Sequence, residues 1–229
     1  MIEAMAIDID GTMTYKDRRL DVAAVDAVRK AEAASLPVVL ATGNVICFAE
    51  AAAILLGTSG PIIAEDGGIV FDRVSGREHV LGDRVEAERG LAALRRTFGG
   101  LRQTRSSGMR LTGLTLERTI TAEQAMDIFR RENLRLIAVD SGFAIHIKDP
   151  EVNKGNALRK VASLLKISMA EIAAMGDALN DIEMLELAGV SFAVANSDEL
   201  VKRACTHVTS EPYGKGVAEA VENVLKLYR

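Results

Sequence analysis

Short apolar runs alternate with amphipathic helical stretches along this chain, and the alternation is interrupted once, near the middle. Residues 4–9, 36–41 and 61–64 read as strands. Residues 22–34 and 45–56 read as helices, with Val22, Val25, Ala27, Val28 and Ala31 near helical spacing. Gly67 and Gly68 turn the chain, and residues 69–71 return as a hairpin partner. From Asn153 the same rhythm resumes, with strands at 172–175, 191–194 and 207–209 and helices at 154–165, 181–187, 198–203 and 217–227. Apolar strands joined by helices build an open parallel sheet covered on both faces. The intervening segment has another grammar: a helix at 85–97, an extended stretch at 109–116, a helix opened by the capping box Thr121-Ala122-Glu123-Gln124, and strands at 134–139 and 143–147. The expected fold is α/β: a doubly wound, Rossmann-like parallel sheet core of residues 1–80 and 153–229, with residues 81–152 inserted as a smaller α+β domain.

Composition narrows the function. The formal net charge of −4 leaves no basic footprint for nucleic acid and no bulk attraction for anions, so a phosphate site would need local cations or a metal. Cys47 and Cys205 lie far apart and read as reduced thiols. His79, His146 and His207 are scattered without zinc-ligand spacing. No stretch reaches the length of a membrane span, and no basic region with a long apolar run opens the chain. A cytoplasmic protein, with a homodimer as its default assembly, is expected.

Four short motifs carry chemistry. Asp8-Ile9-Asp10-Gly11-Thr12 ends the first strand with two carboxylates at alternate positions, pointing the same way, followed by a glycine that permits a sharp turn. Two like charges there need a cation or strong donors, unless they are simply solvated turn aspartates. Thr42-Gly43-Asn44 follows the second strand and supplies a hydroxyl, a close backbone approach and a helix start. These are the parts of a phosphate-binding corner, and also of an ordinary turn with an N-cap. Asn153-Lys154-Gly155-Asn156 puts a lysine at a helix N-terminus, against the macrodipole; it either neutralises an anionic centre or is solvated. Gly176-Asp177-Ala178-Leu179-Asn180-Asp181 follows another strand. Asp177 and Asp181, four apart, share a face if the helix begins early, and such an acidic pair suits magnesium. The ordinary alternative is an N-cap and a first-turn acid. Arg105, Arg110 and Lys148 are candidates for gripping a second anionic group, with solvated surface charge the simpler reading.

In this order, the four motifs resemble those of the haloacid dehalogenase-like phosphohydrolase superfamily, over the whole chain. Placement of the insertion between the second and third motifs is similar to the subclass with the larger α+β cap, and the motif details resemble the archaeal-type phosphoglycolate phosphatases. Asn44 stands where many cap-bearing relatives have an arginine. The resemblance implies that Asp8 is a nucleophile forming an aspartyl-phosphate and that Asp10 is a general acid and base. It implies Mg2+ held by Asp8, the backbone carbonyl of Asp10 and Asp177, with Asp181 completing the site directly or through water. Thr42, Gly43, Asn44 and Lys154 would bind the phosphoryl group of a small phosphorylated metabolite. The competing expectations are a sugar-phosphate or phosphoglycerate phosphatase of the same subclass, and a catalytically silent module that binds a phosphometabolite.

Overall fold

The computed structural model describes residues 1–227. It contains two compact units: Met1–His79 together with the chain from Asn153 onward, and Val80–Val152.

The first unit is an α/β sandwich. Strand β1 (Ala4–Asp8) is buried along its whole length, as a strand covered on both faces must be. Helix α1 (Val22–Ala33) follows, its first turn capped by Asp21, whose carboxylate accepts from the Ala23 amide at 3.0 Å. Strand β2 (Val38–Ala41) begins two residues later than the apolar run suggests, just after Pro37. Helix α2 (Ile46–Leu56) ends on Gly57 in the left-handed conformation. Strands β3 (Ile62–Ala64) and β4 (Ile69–Asp72) form the expected hairpin, and β5 (Arg77–Val80) adds an edge strand that no apolar run marks.

After the second unit, the chain forms α5 (Lys154–Leu165), β9 (Ile172–Gly176), α6 (Ile182–Leu187), β10 (Val190–Ala193), α7 (Glu199–Ala204), β11 (His207–Val208) and α8 (Tyr213–Leu227). Helix α8 starts earlier than its apolar spacing suggests, because the Tyr213 amide is held by Asn196 Oδ1 at 2.8 Å.

The strand order is β11-β10-β9-β1-β2-β3-β4-β5, parallel from β11 through β3. The chain leaves β1 toward β2 on one side and later returns to β9 on the other. The order therefore reverses at β1, and a crevice opens at the carboxyl ends of β2, β1 and β9. The core beneath is aliphatic: Met5, Ile7, Val38, Leu40 and Met175 pack against Ala24, Val28, Val217 and Val221.

The second unit packs α3 (Arg84–Thr97) and α4 (Ala122–Arg131) on a three-stranded antiparallel sheet ordered β6-β8-β7 (Gly113–Leu116, Ile145–Lys148, Ile137–Asp140). The Thr121–Gln124 capping box is formed. The stretch expected to be extended over 109–116 is divided: Ser107–Met109 is a 3-10 turn and only Gly113–Leu116 pairs. Leu91, Leu94, Phe129 and Ile147 form the separate core of this unit. Arg105 is exposed, but Arg110 and Lys148 are buried, so the solvated reading fails for those two. No helix among the described residues is long and apolar enough to cross a membrane.

Candidate active site

All four motifs meet at the crevice of the first unit. Asp8 is the last residue of β1, and the strand register sets it beside Ala41, immediately before Thr42. Register also pairs Ile7 with Met175, which brings Gly176 and Asp177 alongside. Gly11 has a φ of +87°, and a Cβ there would sit 2.3 Å from Asp177 Oδ2. Only glycine lets the β1 turn pass that close to the second acidic motif. The neighbouring Thr12 hydroxyl is buried and donates to Asp177 Oδ1 at 3.2 Å.

Lys154 is the centre of charge. It is fully buried, and its Nζ donates to Asp8 Oδ1 and Asp181 Oδ1, both at 2.6 Å. Asn153 caps the helix by accepting from the Asn156 amide at 2.8 Å, which leaves Lys154 in the first turn, aimed across the crevice. The solvated alternative for Lys154 is thereby excluded.

The helix does not begin early enough for Asp177 and Asp181 to share one of its faces. A 3-10 turn (Leu179–Asp181) intervenes, and Asp181 folds back so that its Oδ2 accepts from the amides of Asp177 and Ala178 at 3.1 Å each. One oxygen of Asp181 therefore closes the turn while the other holds Lys154.

Thr42 is buried, and its Oγ1 accepts from the amide of Asn44 at 3.1 Å and from Asn44 Nδ2 at 3.0 Å. Gly43 is required by Asp66, since a Cβ would lie 2.7 Å from Asp66 Oδ1. Asn44 turns toward Asp10, with Nδ2 donating to Asp10 Oδ2 at 2.5 Å. The Asp10 side chain thus faces Asn44 and Arg18, whereas Asp8, Asp177 and Asp181 form a separate trio whose carboxylate oxygens lie within 4.8 Å of one another.

Electrostatics follow from this packing. Burial pushes the Asp8 carboxyl well above the ordinary carboxylate range; Lys154 opposes the shift, and the charges of Asp181 and Asp177 add to it. Burial and Asp181 push Asp177 up to about 7, against Lys154. Burial alone would disfavour the Lys154 ammonium, but Asp181 and Asp8 outweigh it and the net shift is upward. Asp8 Oδ2 is buried with no hydrogen-bond partner among the described residues. An acidic trio with one screening lysine and one unsatisfied buried oxygen fits a hard divalent cation, which takes oxygen ligands.

Four neighbours, Glu65, Asp66, Asn196 and Arg18, carry no motif signal that singled them out. Asp66, in the β3–β4 turn, accepts from Asn180 Nδ2 at 2.9 Å, and its amide donates to Thr42 O at 3.1 Å. Glu65 and Asp66 both have positive φ, a strained pair that the Glu65 amide to Asn44 O bond at 2.8 Å helps to hold. For these two the only signal is positional: acids ending a third parallel strand, beside glycines. Asn196 Nδ2 donates to Gly11 O at 2.9 Å, fixing the β1 turn. Arg18, in the charged loop after Thr12, donates to Asp10 Oδ1 at 2.9 Å.

Known proteins resemble this chain over nearly its whole length. A family model described as haloacid dehalogenase-like hydrolase matches residues 5–88 and 112–221. Phosphoglycolate phosphatase of Methanothermobacter thermautotrophicus is 40% identical over 98% of this chain and 99% of that protein. The protein of the same name from Archaeoglobus fulgidus is 41% identical over 96% of each. A crystal structure from Thermoplasma acidophilum, 27% identical, superposes with a TM-score of 0.88 over 97% of this chain and 98% of that one. The chain therefore belongs to the haloacid dehalogenase-like hydrolase family.

Proposed function

We propose that this protein is a magnesium-dependent phosphatase that hydrolyses 2-phosphoglycolate to glycolate and phosphate through an aspartyl-phosphate on Asp8. The observation that carries the reading is the buried Lys154 Nζ, 2.6 Å from both Asp8 and Asp181, beside an Asp8 oxygen that no donor among the described residues satisfies. The near full-length likeness to archaeal proteins named phosphoglycolate phosphatase supports the substrate. In the same reading, residues 1–80 and 153–229 are the catalytic core and residues 81–152 the cap domain, acting in the cytoplasm with both thiols free.

Asp8 attacks phosphorus. The Asp8 Oδ–P bond forms as the bond from phosphorus to the alkoxide oxygen breaks, and a proton on Asp10 passes to that oxygen. Asp10, now a carboxylate, takes a proton from water, which attacks the phosphorus and frees Asp8. Lys154 holds Asp8 in orientation and, with Thr42 and Gly43, binds phosphoryl oxygens, whereas the Asn44 side chain is committed to Asp10, Thr42 and Arg18 rather than to the phosphoryl group. Asp8, Asp177 and Asp181, with the Asp10 carbonyl, would hold magnesium. Bound there, the ion shields the nucleophile from its anionic substrate and offsets charge developing in the transition state.

The metal reading has a thermodynamic signature. The fold favours protonated Asp177. In the metal-free protein, that stabilisation is complete below the unfolded value of 3.8 and is lost as pH rises through about 7. Magnesium needs the carboxylate, so its apparent affinity is expected to be about thirtyfold weaker at pH 5.5 than well above pH 7. The rise in melting temperature on adding magnesium should therefore be larger at pH 8 than at pH 5.5. An increment independent of pH in scanning calorimetry would remove Asp177 from the metal site.

The direct test is phosphate release from 2-phosphoglycolate, 3-phosphoglycerate, hexose phosphates and p-nitrophenyl phosphate, with and without magnesium. The expected result is a magnesium-dependent kcat/KM at least about tenfold higher for 2-phosphoglycolate, the scale of one well-placed polar contact. Preference for another ester would replace the substrate and keep the chemistry. No release from any of them would favour a silent binding module.

A further inference from the structure

Arg18 lies in a tight hairpin that leaves the acidic strand end and folds straight back. Thr14 and Leu20 form an antiparallel bridge, the Tyr15 amide donates to Arg19 O at 2.9 Å, and Arg18 sits at the tip with φ +67°. A left-handed arginine is a costly choice for a tip that any glycine would fill. This conformation returns the guanidinium over the carboxyl end of β1. There Nε donates to Asp10 Oδ1 at 2.9 Å and Nη2 donates to Asn44 Oδ1 at 3.1 Å. Asn44 Nδ2 in turn donates to Asp10 Oδ2. The three side chains form a closed ring in which each is bonded to the other two. The Phe48 ring centroid lies 5.8 Å from the guanidinium carbon, and the ring supports it from α2.

We propose that Arg18 is a positioning residue for Asp10, fixing with Asn44 the orientation of the carboxyl group that protonates the leaving oxygen. The inference rests on the acid/base reading of Asp10. The Asp10 side chain is only partly covered, 20% exposed, so packing alone does not select its rotamer. Donors at both oxygens do. A planar fork that reaches Asp10 and Asn44 together also fixes the plane of the carboxyl group, which a single ammonium does not. Proton transfer is sensitive to misplacement of this kind. The pair is too exposed to matter much for folding, so removal of Arg18 should show in catalysis rather than in melting temperature.

Leaving-group protonation matters most for poor leaving groups. The test is therefore kcat/KM, which reports steps through phosphoryl transfer to Asp8, for p-nitrophenyl phosphate, phenyl phosphate and 2-phosphoglycolate with magnesium. Wild type, Arg18→Ala, Arg18→Lys and Asp10→Ala are compared. The expected loss in Arg18→Ala grows as the leaving group worsens, and is about tenfold greater for phenyl phosphate and 2-phosphoglycolate than for p-nitrophenyl phosphate, carried in kcat. Arg18→Lys should recover part of it. Equal losses on all three esters would overturn the proposal. A loss confined to 2-phosphoglycolate and to KM would also overturn it and assign Arg18 to the substrate carboxylate. If Asp10→Ala itself shows no leaving-group dependence, the acid/base reading falls and takes the proposal with it. If Asp10→Ala shows the dependence and Arg18→Ala does not, the positioning role alone is lost.

Discussion

Asp8→Asn is expected to lower phosphate release on the order of a millionfold, the scale on which removal of a covalent nucleophile acts, while leaving the fold intact. An amide has the shape of the carboxyl group but no anionic oxygen to attack phosphorus. Its oxygen can still accept from Lys154 Nζ where Asp8 Oδ1 does at 2.6 Å. Lys154 also keeps Asp181 as a full ion-pair partner at 2.6 Å. Burial and the nearby carboxylates already hold the Asp8 carboxyl above its usual range, so exchanging it for a neutral group relieves repulsion. The melting temperature should be unchanged or higher. Steady-state phosphate release from freshly purified protein, before any deamidation, checks the rate. Mass spectrometry of acid-quenched turnover should find a phosphorylated peptide containing Asp8 in wild type and none in the variant. Turnover near the wild-type rate would end the assignment of Asp8 as nucleophile.

Lys154→Ala should damage both catalysis and stability, and the two effects should depend differently on conditions. The ammonium has no solvent exposure and is shared by two carboxylates. Removing it strands Asp8 and Asp181 beside Asp177, and breaking one side of a buried pair costs about 3–5 kcal/mol. That cost should be largest near pH 8 and shrink as the pH falls, because the stranded carboxyls can escape by taking up protons. Asp8→Asn on the Lys154→Ala background should recover part of the lost stability, a coupling that urea titration of the double-mutant cycle measures directly. Turnover should fall on the order of a hundredfold to a thousandfold, as when a preorganised donor to transition-state charge is lost. Lys154→Met, which keeps most of the buried stem, separates packing from charge: it should restore some stability and none of the rate. Wild-type turnover in Lys154→Met would remove Lys154 from the chemistry.

Much of the molecule is legible in the primary structure because its signals are local. Apolar runs covered on both faces mark β1, β2 and β9, and the side chains of Asp21, Asn153 and Thr121 cap helices where capping residues are expected. The glycine of Asp8-Ile9-Asp10-Gly11-Thr12 has the positive φ that a sharp turn requires. Residue types therefore name the acids and the lysine of the site. Direction is another matter. Spacing would set Asp177 and Asp181 on one helical face if the helix began early; it begins only at Ile182, after a 3-10 turn in which Asp181 Oδ2 accepts from the Asp177 and Ala178 amides. A corner that reads as a phosphate cradle turns Asn44 onto Asp10, since Arg18 arrives from a hairpin whose closure no pattern of hydropathy encodes. Arg110 and Lys148 read as solvated charge and are buried, because long cations follow the packing around them rather than local sequence pattern.

By itself, the sequence determined which residues can do chemistry and that each follows a strand or opens a helix. Only the tertiary structure decided that they share one crevice. Strand order reverses at β1, so motifs as far apart in the chain as Asp8 and Lys154 converge on the same carboxyl ends, and burial there converts ordinary aspartates and a lysine into a coupled charge cluster.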